Sequence, residues 1–283
     1  MAHEIQHILV HSLEHTLALV PFLFLTYLAM EFLEHKTGEK TYAVIKKAGK
    51  CGPFIGGVLG AVPQCGFSAA ASSLYAGKVI TLGTLIAIYL STSDEMLPIM
   101  LSSDKATPEF IGMAVGIKVI IGIVAGVMID LLYKNKKEEH EHIHEICEHE
   151  HCGCEKGVIR SSVVHTLQIT FFIFLITVAL NFVMHLGGEA VLENLILNHP
   201  IVGPMIAGLV GFIPNCASSV VITQLYLEGA MGLGAMMSGL LVGAGVGLLV
   251  LFRVNPNKVE NLKIMGLLYA IGVVSGIVID LMM

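Results

Sequence analysis

Residues suited to holding a cation occur in three places. Pro63-Gln64-Cys65 and Pro214-Asn215-Cys216 interrupt two apolar stretches and stand 151 positions apart, as do Gly52-Pro53 and Gly203-Pro204, and Leu74-Tyr75 and Leu225-Tyr226. Proline lacks a backbone donor and clashes with the preceding turn, so it frees carbonyls and helix ends that lipid cannot satisfy. Gln64 and Asn215 add neutral oxygen ligands, Cys65 and Cys216 add soft sulfur, and Ser68, Ser72, Ser73, Ser218, Ser219 and Thr223 follow on the next turns. These features suit a substrate site lined by exposed backbone; a packed kink eased by small residues is the plainer alternative.

The second place exists in one half of the chain only. Ser91, Thr92, Ser93, Asp94 and Glu95 fall inside the apolar segment 80–101, and Lys118 falls inside 110–133. Their counterparts are Val242-Gly243-Ala244-Gly245-Val246 and Leu268. Acids inside a membrane segment are costly, so function is the default expectation. Asp94 or Glu95 would bind a cation or a coupling proton, with Lys118 tuning the site; a structural ion pair is the alternative.

The third place lies outside the apolar segments. His140, His142, His144, Cys147, His149, His151, Cys152 and Cys154 alternate with Glu138, Glu139, Glu141, Glu145, Glu148, Glu150 and Glu155. Such a tract reads as metal-binding by composition, and its irregular spacing suits a labile, multi-site chelator with a regulatory metal; a solvated acidic linker is the alternative. His3, His7, His11 and His15 recur every four residues, which on one helix makes a single metal-chelating stripe. Asp130 and Asp280 are equivalent and terminal in their segments, which suits interface anchoring. Asn181 suits a hydrogen bond to a neighbouring helix or a place in the pathway.

The elements that must position these residues are membrane helices. Hydrophobic residues make up 55% of the 283, charged residues 13%, and the mean hydropathy is +0.79. Six segments are long enough to cross a core of about 30 Å: 11–33, 80–101, 110–133, 160–185, 230–252 and 264–283. The first is expected to be retained, because Met1-Ala2-His3-Glu4 is not the start of a cleavable signal. No disulfide framework is expected of the 6 Cys.

The repeat covers most of the chain, since His15-Thr16-Leu17 matches His165-Thr166-Leu167 and Gly126 to Asp130 resembles Gly276 to Asp280. Lys36, Lys40, Lys46, Lys47 and Lys50 crowd the loop after the first segment, whereas the equivalent loop, 186–202, has no Lys or Arg. The positive-inside rule then puts equivalent loops on opposite sides, which requires an odd number of crossings per half. Residues 52–76 therefore read as a re-entrant hairpin, each arm about 17 Å long at 1.5 Å per residue. The expected fold is an all-α polytopic membrane protein of two inverted repeats, each of three transmembrane helices plus one re-entrant hairpin. Its units are 1–133, a cytoplasmic linker 134–159, and 160–283, with both termini outside. In that arrangement 14 of the 16 Lys and Arg lie inside or at the inner boundary.

The duplicated Pro-Gln-Cys and Pro-Asn-Cys segments, the whole-chain repeat and the His-rich linker resemble the ArsP-like ten-helix heavy-metal exporters, also described as manganese or arsenic efflux proteins. Six segments and four hairpin arms give the ten helices that the resemblance implies. It further implies efflux of a toxic metal or metalloid across the cytoplasmic membrane. No Gly-x-x-x-x-Gly-Lys-Ser/Thr loop is present, so no nucleotide hydrolysis and no enzyme activity are expected, and transport would be secondary. Hard donors at Asp94, Glu95, Gln64 and Asn215 favour Mn²⁺, with Zn²⁺ and similar ions suited to the His tracts. An arsenical permease relying on Cys65 and Cys216 is the second reading, and a metal-regulated channel or sensor a third. An organic-anion carrier is a fourth, with Lys118 neutralising a carboxylate. No cofactor is required, the bilayer and the metal are the expected partners, nucleic acid is not, and a homodimer is a reasonable form for a hairpin-based carrier.

Overall fold

Threonine and proline set several helix starts. The Thr81 hydroxyl accepts from the Thr84 amide at 3.1 Å, and the Thr107 hydroxyl from the Phe110 amide at 3.3 Å, with Pro108 in the first turn. In the computed structural model the described residues are 51–63, 65–93, 95–133, 199–213 and 216–282, with single helical positions within 20–28 and 159–178. In the first half they form α1 (Gly52–Gly60), α2 (Cys65–Ala76), α3 (Leu82–Ser91), α4 (Met96–Ser102) and α5 (Pro108–Leu132). The second half forms α6 (Val202–Gly211), α7 (Cys216–Leu227), α8 (Leu233–Val242), α9 (Val246–Val254) and α10 (Lys258–Met282). No strand occurs among the described residues.

Both proline-containing segments are interrupted as expected: α1 ends at Gly60 and α2 begins at Cys65, and α6 ends at Gly211 and α7 begins at Cys216. A second pair of interruptions departs from the sequence reading, in which 80–101 and 230–252 are continuous. The first of these segments stops at Ser91 and resumes at Met96; the second stops at Val242 and resumes at Val246. In the first, hydroxyls compete for the helical carbonyls. Ser91 and Thr92 Oγ atoms both donate to the Ile88 carbonyl, at 3.1 and 2.8 Å, and Ser93 Oγ donates to the Ser91 carbonyl at 3.1 Å. In the second, Gly243-Ala244-Gly245 carries little helix propensity, and Gly245 takes φ 54°, ψ −136°, a conformation open to glycine alone. Glu95 therefore belongs to a helix break rather than a helix interior.

Helices α1, α3 and α5 pack together, and α6, α8 and α10 repeat the arrangement. Backbones approach closely at equivalent crossings: a Cβ on Gly83 would lie 2.1 Å from the Gly126 carbonyl, and one on Gly234 2.1 Å from that of Gly276. The halves also exchange elements, with α2 packed on α9 and α7 on α4. Their ends meet crosswise. Tyr75, where α2 leads to α3, donates to Glu260 at the start of α10. At the other end Lys105, between α4 and α5, pairs with Glu228 at 2.8 Å, and Phe110 stacks on Tyr226 with ring centroids 5.5 Å apart.

Burial separates inner from outer helices. Gly83 to Ser91 of α3 and Gly234 to Val242 of α8 are buried throughout, whereas α5 exposes Ile120, Val124, Val127, Met128 and Leu131, and α10 exposes Val274, Val278 and Leu281. Contiguous apolar faces of that kind are stable against hydrocarbon, not water. Pro108–Leu132, Leu233–Val254 and Lys258–Met282 are long and apolar enough to cross a membrane. The molecule is an all-helical, multi-pass membrane protein.

Candidate functional site

Two of the breaks meet at Lys118. Ten residues into α5, roughly 15 Å from Pro108 at 1.5 Å per residue, this lysine is 1% exposed. Its ammonium donates to the Thr92 carbonyl, just past the end of α3, and at 2.9 Å to the Leu240 carbonyl in the last turn of α8. Helix C-termini carry partial negative charge and unpaired carbonyls, so two of them, one from each half, converge on one cation. Thr92, Ser93, Met96, Lys118, Ser219, Leu240 and Gly243 line the spot. Glu95, at the start of α4, is 2% exposed. A buried carboxylate and a buried ammonium at membrane depth each require partners that offset lost hydration.

Other residues of α2 and α7 have structural work. The Ser72 hydroxyl lies 2.7 Å from the Gly247 carbonyl, 2.8 Å from the Ser68 carbonyl and 2.5 Å from the Tyr89 hydroxyl, joining α2, α3 and α9. Ser68 packs against Gly247, where a Cβ would come within 2.8 Å of the serine Cβ. Ser218 donates to the Ile213 carbonyl at 3.2 Å, tying the first turn of α7 to the residues just after α6. At the position equivalent to Ser72, the Thr223 hydroxyl is buried and makes no hydrogen bond among the described residues.

The structure thus brings Thr92, Ser93, Lys118 and Ser219 to one place, adds Met96, Leu240 and Gly243, and puts Ser68 and Ser218 into helix packing. Leu240 enters through its carbonyl, which no side-chain pattern reveals; Gly243-Ala244-Gly245 did carry a signal, since glycine pairs mark interruptions. Cys65 and Cys216 are the first residues of α2 and α7. Gln64, Asp94, Pro214, Asn215, Asn181, the linker residues His140 to Cys154 and the stripe His3, His7, His11 and His15 lie outside the described residues. Among the described residues no three His, Cys, Asp or Glu side chains cluster to hold a metal.

No curated protein and no solved structure matches the chain. A family model described as "Putative, 10TM heavy-metal exporter" matches residues 4–185 and 154–283, which together run from position 4 to the last residue. With matches of that extent on an all-helical, multi-pass fold, the chain belongs to the family of 10TM heavy-metal exporters so described.

Proposed function

We propose that the protein is a secondary carrier that exports a divalent transition metal from the cytoplasm, Mn²⁺ first and Zn²⁺ or a similar ion next. The observation that carries this reading is the convergence at Lys118, where carbonyls from both halves meet, one of them from the break that also holds buried Glu95. Cation sites of secondary carriers are built from half-helix C-termini and unwound carbonyls at the interface between repeats. Carboxylate and carbonyl oxygens suit Mn²⁺. Asp94, Glu95, Gln64 and Asn215 would be the cargo ligands, and Cys65 and Cys216 would add sulfur for softer ions.

The architecture proposed with it is an inverted repeat with two re-entrant hairpins in the cytoplasmic membrane, termini outside and the 134–159 linker inside. Its support is the crosswise pairing: Tyr75 meets Glu260, whereas Lys105 and Phe110 meet Glu228 and Tyr226. The equivalent residues Tyr75 and Tyr226 meet partners on opposite sides of the α3–α4 segment, as antiparallel repeats require. The linker would gather or sense metal on the loading side.

Uptake of Mn²⁺, Zn²⁺ and arsenite into inside-out vesicles tests the cargo, comparing native protein with Asp94→Asn/Glu95→Gln and Cys65→Ser/Cys216→Ser. Divalent-metal flux lost with the acids but surviving the Cys changes is the expected result. Arsenite flux lost only with the thiols would replace this reading with an arsenical permease. A carrier needs an ion gradient for net flux, whereas flux indifferent to the proton gradient would speak for a channel. Deletion of 138–155 should alter apparent affinity and leave flux in place.

A further inference from the structure

Lys118 stands where a cation would stand. Its ammonium takes two carbonyls that a bound metal could take, one from each half, in a pocket lined by Thr92, Ser93, Met96, Ser219, Leu240 and Gly243. Among the described residues the helices packed most closely on α5 are α1, α3, α4 and α8, and none of these four contains Asp, Glu, Lys, Arg or His. Between α3 and α4, next to the Thr92 carbonyl in sequence, the break carries the buried acid Glu95, and by sequence Asp94 precedes it. The second half offers no equivalent ammonium, because buried Leu268 occupies that position.

We propose that Lys118 is the resident counter-ion of the empty carrier: its ammonium and the cargo metal occupy the same seat in turn. This rests on the reading of Asp94 and Glu95 as cargo ligands and extends it to the unloaded state. An empty acidic site carries uncompensated negative charge at membrane depth, where isolated charge is expensive. Inserted Lys118 cancels that charge and ties the ends of α3 and α8 together. The empty carrier can then return across its cycle, and cargo enters only by displacing the ammonium. Mutual exclusion at one seat makes the two cations negatively coupled.

The test measures Mn²⁺ binding to the purified full-length protein by calorimetry and Mn²⁺ movement in proteoliposomes, for native protein, Lys118→Met, Lys118→Arg and Glu95→Gln. Removing the competitor should tighten Mn²⁺ binding of Lys118→Met by about tenfold or more, within the usual range of coupling between two ligands. The same variant should keep Mn²⁺/Mn²⁺ exchange and lose net export, because only net export needs the empty carrier to return. Lys118→Arg should bind Mn²⁺ more weakly than native protein, since a guanidinium holds carbonyls through more donors. Unchanged or weaker binding by folded Lys118→Met, or net export retained, would overturn the proposal. If Lys118→Met does not fold, Lys118→Arg decides: weaker binding supports the shared seat, and native affinity overturns it. Binding lost in Glu95→Gln but not tightened in Lys118→Met removes the counter-ion and leaves the exporter standing. No Mn²⁺ binding by native protein removes both.

Discussion

Asp130 and Asp280 sit in the last turns of α5 and α10, yet each serves the first turn of another helix. Asp130 accepts from the Gly83 amide at 2.9 Å and the Thr81 hydroxyl at 2.6 Å, and Asp280 accepts from the Gly234 amide at 2.6 Å. A carboxylate there satisfies free amides and meets the positive end of the helix dipole. The sequence disclosed the pair through the repeat and suggested anchoring; the helix starts they cap lie 47 and 46 positions away, beyond any local pattern. Asp130→Ala and Asp280→Ala should each cost about 0.5–2 kcal/mol, the usual range for a lost cap. Thermal unfolding in detergent reads this, with exposed Asp104→Ala as the control that should not shift.

The crossings of α3 on α5 and of α8 on α10 are set by glycine. A methyl group at Gly83 or Gly234 meets backbone at 2.1 Å, whereas at Gly116 it meets nothing within 4 Å. Gly83→Ala and Gly234→Ala should therefore lower stability by about 1–3 kcal/mol, the range for overpacking, while Gly116→Ala is neutral or better. Melting temperatures of the three variants decide it. The break after α8 makes a separate demand, because Gly245 adopts φ 54°. Gly245→Ala should cost about 1–3 kcal/mol in backbone strain. Its Mn²⁺ flux should fall further than that of a Gly83→Ala variant of equal stability, since the break shapes the seat occupied by Lys118. Hydropathy concealed these breaks, because Ser, Thr, Gly and Ala interrupt a helix without interrupting its apolar character.

Across the whole molecule, the two halves interlock by exchanging elements, so neither completes its packing alone: α2 needs α9 and α7 needs α4. Both ends are tied, by Tyr75 and Glu260 at one and by Lys105, Glu228, Phe110 and Tyr226 at the other. If the repeats are inverted, those ends face opposite sides of the membrane. In a background with all 6 Cys replaced by Ser, Lys105→Cys should react with an impermeant thiol reagent in intact cells and Lys258→Cys only in inside-out vesicles. Labelling of both from one side would refute the inversion.

Hydropathy alone determined that the chain is a helical membrane protein, because a bilayer admits few other ways to bury so much apolar surface. The repeat at a separation of 150 or 151 positions was equally legible, and with it the breaks at the proline-containing segments and the singular status of Glu95 and Lys118. What only the tertiary structure decided is where that lysine goes. The Thr92 and Leu240 carbonyls come from opposite halves of the chain, and backbone oxygens have no signature in a sequence of side chains. Helix ends acquire meaning when packing brings them together, and that packing depends on crossings between elements far apart along the chain.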